Sequence, residues 1–283
     1  MPPTHRNPAL TRSGNVRAGQ TVKALLQLRQ MILDGELKAD ERVPELSVAR
    51  HTGISRTPIR SALLQLAQEG LLQPSASGGF VVRAFDEAEV FDAIDLRGTL
   101  EGAAARRASE RNLSHADLAA MRDCVGAMDS IAQHRKPGIE LFSDYVRLNE
   151  RFHQILVELA NSAVLSRAID QILALPFASP SAFVLAQADL PQARQILQTA
   201  QQQHHAILNA IAEGKSARAE TLAREHSNLA KSNLRAVAAE EADMKRVVGG
   251  ALIKRRASLA DGDAGNSRRR NRKGTTKRRD PRG

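Results

Sequence analysis

The stretch Ile54-Ser55-Arg56-Thr57-Pro58-Ile59-Arg60-Ser61-Ala62-Leu63 constrains this chain more than any other. It reads as the opening of a helix that carries charge in its first turn. Ser55 suits the N-cap, where its hydroxyl can accept from a free backbone N–H. Pro58 is tolerated close behind, because first-turn N–H groups have no intrahelical partner. Ile59, Leu63, Leu64 and Leu66 supply an apolar stripe at helical spacing, and Arg56, Thr57 and Arg60 fall off it. Guanidinium groups at a helix N-terminus oppose the macrodipole, so the arrangement asks for a phosphate or a base edge as partner. Ahead of it, Glu45 to His51 reads as a short helix with Leu46, Val48 and Ala49 available for burial, broken by Thr52-Gly53. Behind it, Leu71-Leu72-Gln73-Pro74 and Phe80-Val81-Val82-Arg83 flank a Ser/Gly loop and read as a hairpin. Helix, turn with Gly, helix and hairpin together place the second helix in a DNA major groove.

On these residues the span from about Val22 to Arg83 resembles the winged helix of GntR-type transcription regulators. The matching pieces are Ile32-Leu33-Asp34-Gly35-Glu36-Leu37, Val43-Pro44-Glu45-Leu46, Gly53 through Leu63, Leu66, Glu69-Gly70-Leu71 and Gly79-Phe80-Val81-Val82. The resemblance implies DNA contacts from Ser55, Arg56, Thr57 and Arg60 on the reading helix and from Gly79 in the wing. Ala39-Asp40 stands where the family usually has Pro-Gly, a departure confined to a turn.

The formal net charge of +10 is mostly a property of one end. From Lys254 to Gly283 there are twelve Lys/Arg against three Asp, so that stretch carries +9 and the remaining chain about +1. It reads either as a solvated tail or as added nonspecific DNA affinity through counterion release. Cys124 stands alone, so no intrachain disulfide is possible and a reducing cytoplasm fits. No apolar run suits a membrane span and the N-terminus lacks the apolar core of a signal peptide, so a cytoplasmic protein is expected, and the resemblance implies a bacterial one associated with the nucleoid through DNA binding. Four parts are expected: a flexible arm (residues 1–20), a winged helix-turn-helix (21–84), a helical unit (85–247) and a disordered basic tail (248–283). Within the tail, Gly249-Gly250 is expected to loosen the chain.

The expected fold is mainly α, a winged helix-turn-helix joined to an all-helical bundle. Amphipathic runs predict a helix over Thr21 to Leu33 with Val22, Leu25, Leu26, Met31 and Ile32 apolar, and then a bundle of six or seven helices. Asp86 caps the first bundle helix, and others span Ser114 to Ala132, Glu140 to Leu159, Ser162 to Leu175, Pro191 to Glu213 and Ser216 to about Arg246. Three of these helices each offer an imidazole: His153, His204 and His226. Asn149 and His153 are one turn apart and share a face. Taken singly, such histidines are core or surface residues; as a set they could hold zinc or another late first-row divalent ion. Arg97 can pair with Glu101 at i,i+4 or offer its fork to a carboxylate.

From about Asp86 to Arg246 the chain is similar to the helical ligand-binding domain, called FCD, of the FadR-type GntR regulators. The resemblance rests on Asp95-Leu96-Arg97-Gly98-Thr99-Leu100-Glu101, Phe152-His153, His204 with Ala206-Ile207-Leu208, and His226. It implies a divalent metal on His153, His204, His226 and the residue at 149, and an effector, such as a small carboxylate, reached by Arg97. Many members carry Asp where this chain has Asn149, so the site should bind metal more weakly. The resemblance further implies a homodimer on a palindromic double-stranded DNA operator, acting as a repressor and not as an enzyme. The competing class is a metal-dependent hydrolase with an appended nucleic-acid module; the absence of a His-Glu-x-x-His pattern or an identifiable general base weighs against it.

Overall fold

The structure, a computed structural model, describes residues 8–135, 138–188, 190–238 and 244–254, with side chains from residue 19 onward. Helix α1 (Pro8–Leu33) is followed by strand β1 (Arg42–Val43), α2 (Glu45–Thr52), α3 (Arg56–Gln68), β2 (Leu72–Pro74) and β3 (Phe80–Val82). The sheet order is β1-β3-β2, antiparallel throughout, with Leu72 opposite Val82 and Arg42 opposite Val81. The expected hairpin is present, and β1 adds a third strand that a two-residue run does not announce. Asp40 takes φ +63°, the left-handed conformation that a glycine would supply in the related turn.

Several apolar residues lie outside the core they were expected to join. Ala24, Leu25, Leu28 and Ile32 form the buried face of α1, whereas Val22 and Leu26 are more than half exposed. In α3 the stripe is Ile59, Ala62, Leu63 and Leu66, and Leu64 faces out. Leu46 is exposed too, leaving Val48 as the buried residue of α2. In each case the side facing a neighbouring helix admits only part of the apolar set. Residues 1–20 are also not a flexible arm throughout, because α1 begins at Pro8.

Six helices follow: α4 (Glu87–Glu110), α5 (Ala119–Ala132), α6 (Ile139–Ala160), α7 (Ala163–Leu173), α8 (Ala193–Ala212) and α9 (Ser216–Ala238). No strand intervenes between Asp86 and Arg246 among the described residues. Asp86 closes a capping box on α4: its carboxylate accepts from the Glu89 N–H at 2.8 Å, and Glu89 accepts from the Asp86 N–H at 3.1 Å. Helix α5 starts later than its periodicity predicts. Ser114 and Asp117 satisfy each other in a closed turn, with the Ser114 hydroxyl donating to the Asp117 carboxylate at 2.7 Å.

One apolar core joins the two units. Leu28, Ile32, Leu63 and Leu66 of the N-terminal unit belong to the same cluster as Phe85, Val90, Ile94, Phe177, Val237 and Leu252. The second cluster lies within the bundle, around Met121, Met128, Phe142, Phe152 and Ile211. Residues 248–254, expected to begin a disordered tail, form a packed strap instead. Gly249 takes φ +73° against Pro176 and Leu33. The Phe85 N–H then donates to the Leu252 carbonyl at 2.8 Å, and the Lys254 N–H donates to the Phe85 carbonyl at 2.7 Å. Lys254 also pairs with Asp40 at 2.8 Å. The rest of the basic tail, residues 255–283, lies outside the described residues.

Helices α4 and α9 make the closest approach in the bundle. A Cβ on Gly98 would stand 2.1 Å from Ser227 Oγ and 2.7 Å from Ser227 Cβ. One on Gly102 would stand 2.6 Å from Arg224 Cγ and 3.0 Å from the Glu220 carbonyl oxygen. Neither contact leaves room for a side chain, so Gly98→Val should lower the free energy of unfolding by about 1–3 kcal/mol. Gly126 on α5 has nothing within 4 Å of such a Cβ, and Gly126→Ala should not destabilise. Urea melts of both variants check this.

Candidate functional site

The reading end of α3 is open. Ser55, Arg56, Thr57 and Arg60 are all exposed, and neither arginine has an ion-pair partner among the described residues. Ser55 occupies the N-cap with extended backbone, but its hydroxyl makes no capping hydrogen bond, contrary to expectation. The hydroxyl is therefore free for a phosphate. At the wing, Gly78 and Gly79 take φ +86° and +77°, a turn that side chains rarely allow. Arg42, which sequence reasoning did not single out, donates through Nη2 to the carbonyls of Gly78 (2.8 Å) and Ser77 (3.3 Å), bracing that turn.

Inside the bundle, His153 from α6, His204 from α8 and His226 from α9 converge, each buried, with one ring nitrogen apiece within 4.8 Å of the others. Their outer nitrogens are braced. The amide nitrogen of Gln201 donates to the Val125 carbonyl (2.7 Å) and to Asp129 (2.9 Å). Its oxygen is therefore what faces His204 Nδ1 at 3.2 Å. Gln203 Oε1 lies 2.8 Å from His226 Nδ1. His204 thus carries hydrogen on Nδ1, and its Nε2 lone pair points inward, 3.1 Å from His226 Nε2. At that distance a proton or a cation between the two nitrogens satisfies the pair. Two nitrogens each 2.0–2.1 Å from a tetrahedral ion sit roughly 3.3 Å apart. The donor set and spacing therefore fit a divalent ion.

Glu101 on α4 completes the surroundings, and periodicity gave it no role beyond a pair with Arg97. Its Oε1 lies 3.0 Å from His153 Nδ1 and 3.6 Å from Arg97 Nη1. The His153 contact lacks hydrogen-bond alignment, so both His153 nitrogens and Glu101 Oε2 remain buried without a hydrogen-bond partner. Burial alone would push the Glu101 carboxyl up, but His153 and Arg97 overcome it and hold the group down at about 2. His205, next to His204 but rotated about 100° around α8, points elsewhere, to Asp129 at 2.9 Å.

Two cavities flank the triad. The smaller, about 30 Å3, is lined by Arg97, Asn149, Tyr145 and His226 among others. Asn149 is buried there and donates through Nδ2 to Ser181 Oγ at 3.1 Å. The larger, about 730 Å3, lies between α6 and α7, with Glu101 and His153 in its lining. Its size is that of a small-molecule site. Arg97 does not line it; its guanidinium, buried beside Glu101, faces the smaller space.

Comparison with known proteins agrees with both halves of this architecture. Residues 20–82 match the family described as bacterial regulatory proteins, gntR family, and residues 92–229 match the FCD domain. An HTH-type transcriptional regulator in an unstable DNA locus of Streptomyces ambofaciens is 32% identical over 211 residues, covering 71% of this chain and 79% of that one. The Nta operon transcriptional regulator of Aminobacter aminovorans is 31% identical over 50% of this chain; that match spans 64% of the relative, just under two thirds of its length. Among solved structures, Lar, which controls expression of the Listeria monocytogenes agr system, superposes with a TM-score of 0.54 at 19% identity, over 77% of this chain and 97% of that one. At that identity the likeness speaks for the fold alone.

Burial, reinforced by its histidine neighbours, lowers His226 to about 3 and takes His204 well below 6.5. In the unfolded chain both would bind a proton near 6.5, so as pH falls below that value the unfolded state takes up more protons. Metal-free protein should therefore lose stability steadily from pH 6.5 down towards 3. Urea melts at stepped pH measure it, and the slope should be shallower in His226→Gln.

Proposed function

Because the chain belongs to the gntR family of bacterial regulatory proteins and joins that family's DNA-binding unit to an FCD domain, we propose that it is a repressor of the FadR subfamily, released from its operator by a small carboxylate effector. It acts as a homodimer in the bacterial cytoplasm, at the nucleoid, with one α3 in each half-site of a palindrome; two-fold protein symmetry ordinarily mirrors the DNA. The observation that carries this reading is the pairing of an open, arginine-bearing α3 with a buried triad of inward-facing imidazoles in one continuous fold. Arg56 and Arg60 reach base edges or phosphates, Ser55 and Thr57 take phosphate oxygens, and Gly79 lets the wing backbone approach the duplex. The basic tail adds nonspecific affinity.

In the bundle, His153, His204 and His226 would hold one divalent ion, zinc or another late first-row metal, with the amide oxygen of Asn149 as a neutral fourth donor. Such an ion supplies a Lewis-acid anchor for a carboxylate oxygen. The protein's own part is to fix ring orientations: Gln201 and Gln203 hold the Nδ1 edges of His204 and His226, and Glu101 stands beside the Nδ1 of His153. Arg97, half engaged by Glu101, offers its remaining N–H groups to the effector. Transmission follows from α4. Its first turns, Val90 and Ile94, sit in the core shared with the DNA-binding unit, and its fourth turn carries Glu101 beside His153. An effector that favours one seating of α4 over another changes how well two α3 helices fit the operator. The hydrolase alternative gains no support from relatives that are transcription regulators.

Arg56→Ala and Arg60→Ala should each cost about 1–3 kcal/mol of operator binding, read by fluorescence anisotropy on a selected sequence, with the fold intact. Unchanged affinity in both variants would reject α3 as the reading helix. Zinc titrated against a chromophoric chelator should bind one per chain and be lost in His204→Ala. Affinity should fall roughly 10–100-fold in Glu101→Gln and rise in Asn149→Asp. Stoichiometric zinc that survives Ala at all three histidines would rule the centre out.

A further inference from the structure

The larger cavity has a charge pattern that the regulatory reading does not use. Its floor is Glu101 and His153, both buried, with Glu101 Oε2 and both His153 nitrogens lacking hydrogen-bond partners. Its walls carry three further carboxylates: Glu150 and Glu158 on α6 and Asp170 on α7, all exposed. No lysine or arginine lines it among the described residues. Two guanidinium groups reach the lining from outside it: Arg97 stands 3.6 Å from Glu101 at the floor, and Arg151 pairs with Glu158 at 2.9 Å, where both side chains are about half exposed, so that screened pair removes little of the wall's charge. The Ser179 hydroxyl donates to Glu150 at 3.4 Å, which leaves most of the acceptor capacity of that carboxylate open. Between the acidic groups the walls are apolar, with Val157 from α6 and Leu173 from α7 in the lining.

Helical geometry fixes the spacing of these groups. Glu150 lies one turn before His153, with Cβ atoms about 5–6 Å apart. Glu158 lies five residues after it, a rise of about 7.5 Å. A simple carboxylate anchored at the histidines would lie with its apolar body against Val157 and Leu173 and its far end among like charges. A ligand that ends in a cation would meet complementary charge there, in a partly enclosed space where such pairing is stronger than in water.

We propose that this cavity binds a zwitterionic effector, an amino acid or a short amino-terminated carboxylic acid. Its carboxylate lies at the histidine floor and its ammonium is held by Glu150 on α6 and Asp170 on α7. The carboxylate half rests on the metal anchor of the regulatory reading above and not on Arg97, which lines the smaller cavity; the ammonium half rests on the acidic walls. Selectivity follows from the pair. A fatty acid of the same length leaves the wall carboxylates facing apolar carbon, and a simple amine leaves the floor without its anion.

The test is calorimetric titration of the full chain, loaded with zinc, at millimolar probe concentrations. The probes are a homologous series from glycine to ε-aminocaproate, with the fatty acid and the primary amine matching each length. At the best length, the amino acid should bind at least about tenfold more tightly than either counterpart. Glu150→Gln combined with Asp170→Asn should erase its advantage over the fatty acid, with an unchanged melting curve. A fatty acid that binds as tightly as its amino acid overturns the ammonium site and leaves the carboxylate reading standing. An amine that binds as tightly as its amino acid overturns the zwitterion, and the carboxylate anchor with it. Failure of every amino acid in the series to bind also overturns it.

Discussion

The approach of α4 to α9 is the constraint on which the bundle's chemistry depends. Gly98 and Gly102 remove the side chains that would hold the two helices apart, so Ser227 and Arg224 of α9 lie directly on α4. That contact sets the distance between Glu101 on one helix and His226 on the other. A bundle with ordinary spacing at this seam would carry the same polar residues, yet the imidazoles could not share one point with Glu101 beside them. The glycines thus act on the site without touching it, by fixing the frame that presents it.

Burial and orientation then do different work at the triad. Burial keeps His204 and His226 neutral, which is the state a metal needs. Orientation comes from groups that would look like surface amides in a sequence. Gln201 is 4% exposed and anchored from the far side by Asp129 and the Val125 carbonyl, so its oxygen has one direction left. Asn149 contributes no charge at this centre. Among the described residues, the one buried carboxylate that touches a histidine of the triad is Glu101, and it is shared with Arg97. The electrostatics are therefore held by a helix that also reaches the DNA-binding unit.

The helices and the residues at the tip of α3 were legible in the sequence, because a stripe at helical spacing and its charged remainder are local facts. His153, His204 and His226 could be named from the sequence as one imidazole on each of three helices, whereas a ligand role for position 149 came only through family resemblance. Which apolar residues face inward was less legible: Val22, Leu26, Leu46 and Leu64 satisfy the periodicity but look outward, since packing partners and not periodicity decide which edge of a stripe is covered. The roles of Gln201, Gln203 and Arg42 were not legible at all. Each works through a partner distant in the chain or through a backbone carbonyl, and no spacing rule marks such contacts. Gly249-Gly250 misled for a related reason. Glycine signals freedom in isolation, whereas here it admits close packing against Pro176.

The strap of residues 244–254 also bears on how the molecule is made. It hydrogen-bonds to both sides of Phe85, at the junction of the two units, and places Leu252 in the core that covers Leu28 and Ile32. On the ribosome those residues emerge after every helix of the bundle. A nascent or prematurely terminated chain therefore has its reading helix long before the junction is sealed, and it exposes an apolar seam in the meantime. A fragment that ends within the bundle would present that seam to chaperones and proteases as a mark of incompleteness. Synthesis order thus becomes a form of proofreading, in which a DNA reader without its sensor is also a reader without its last seal.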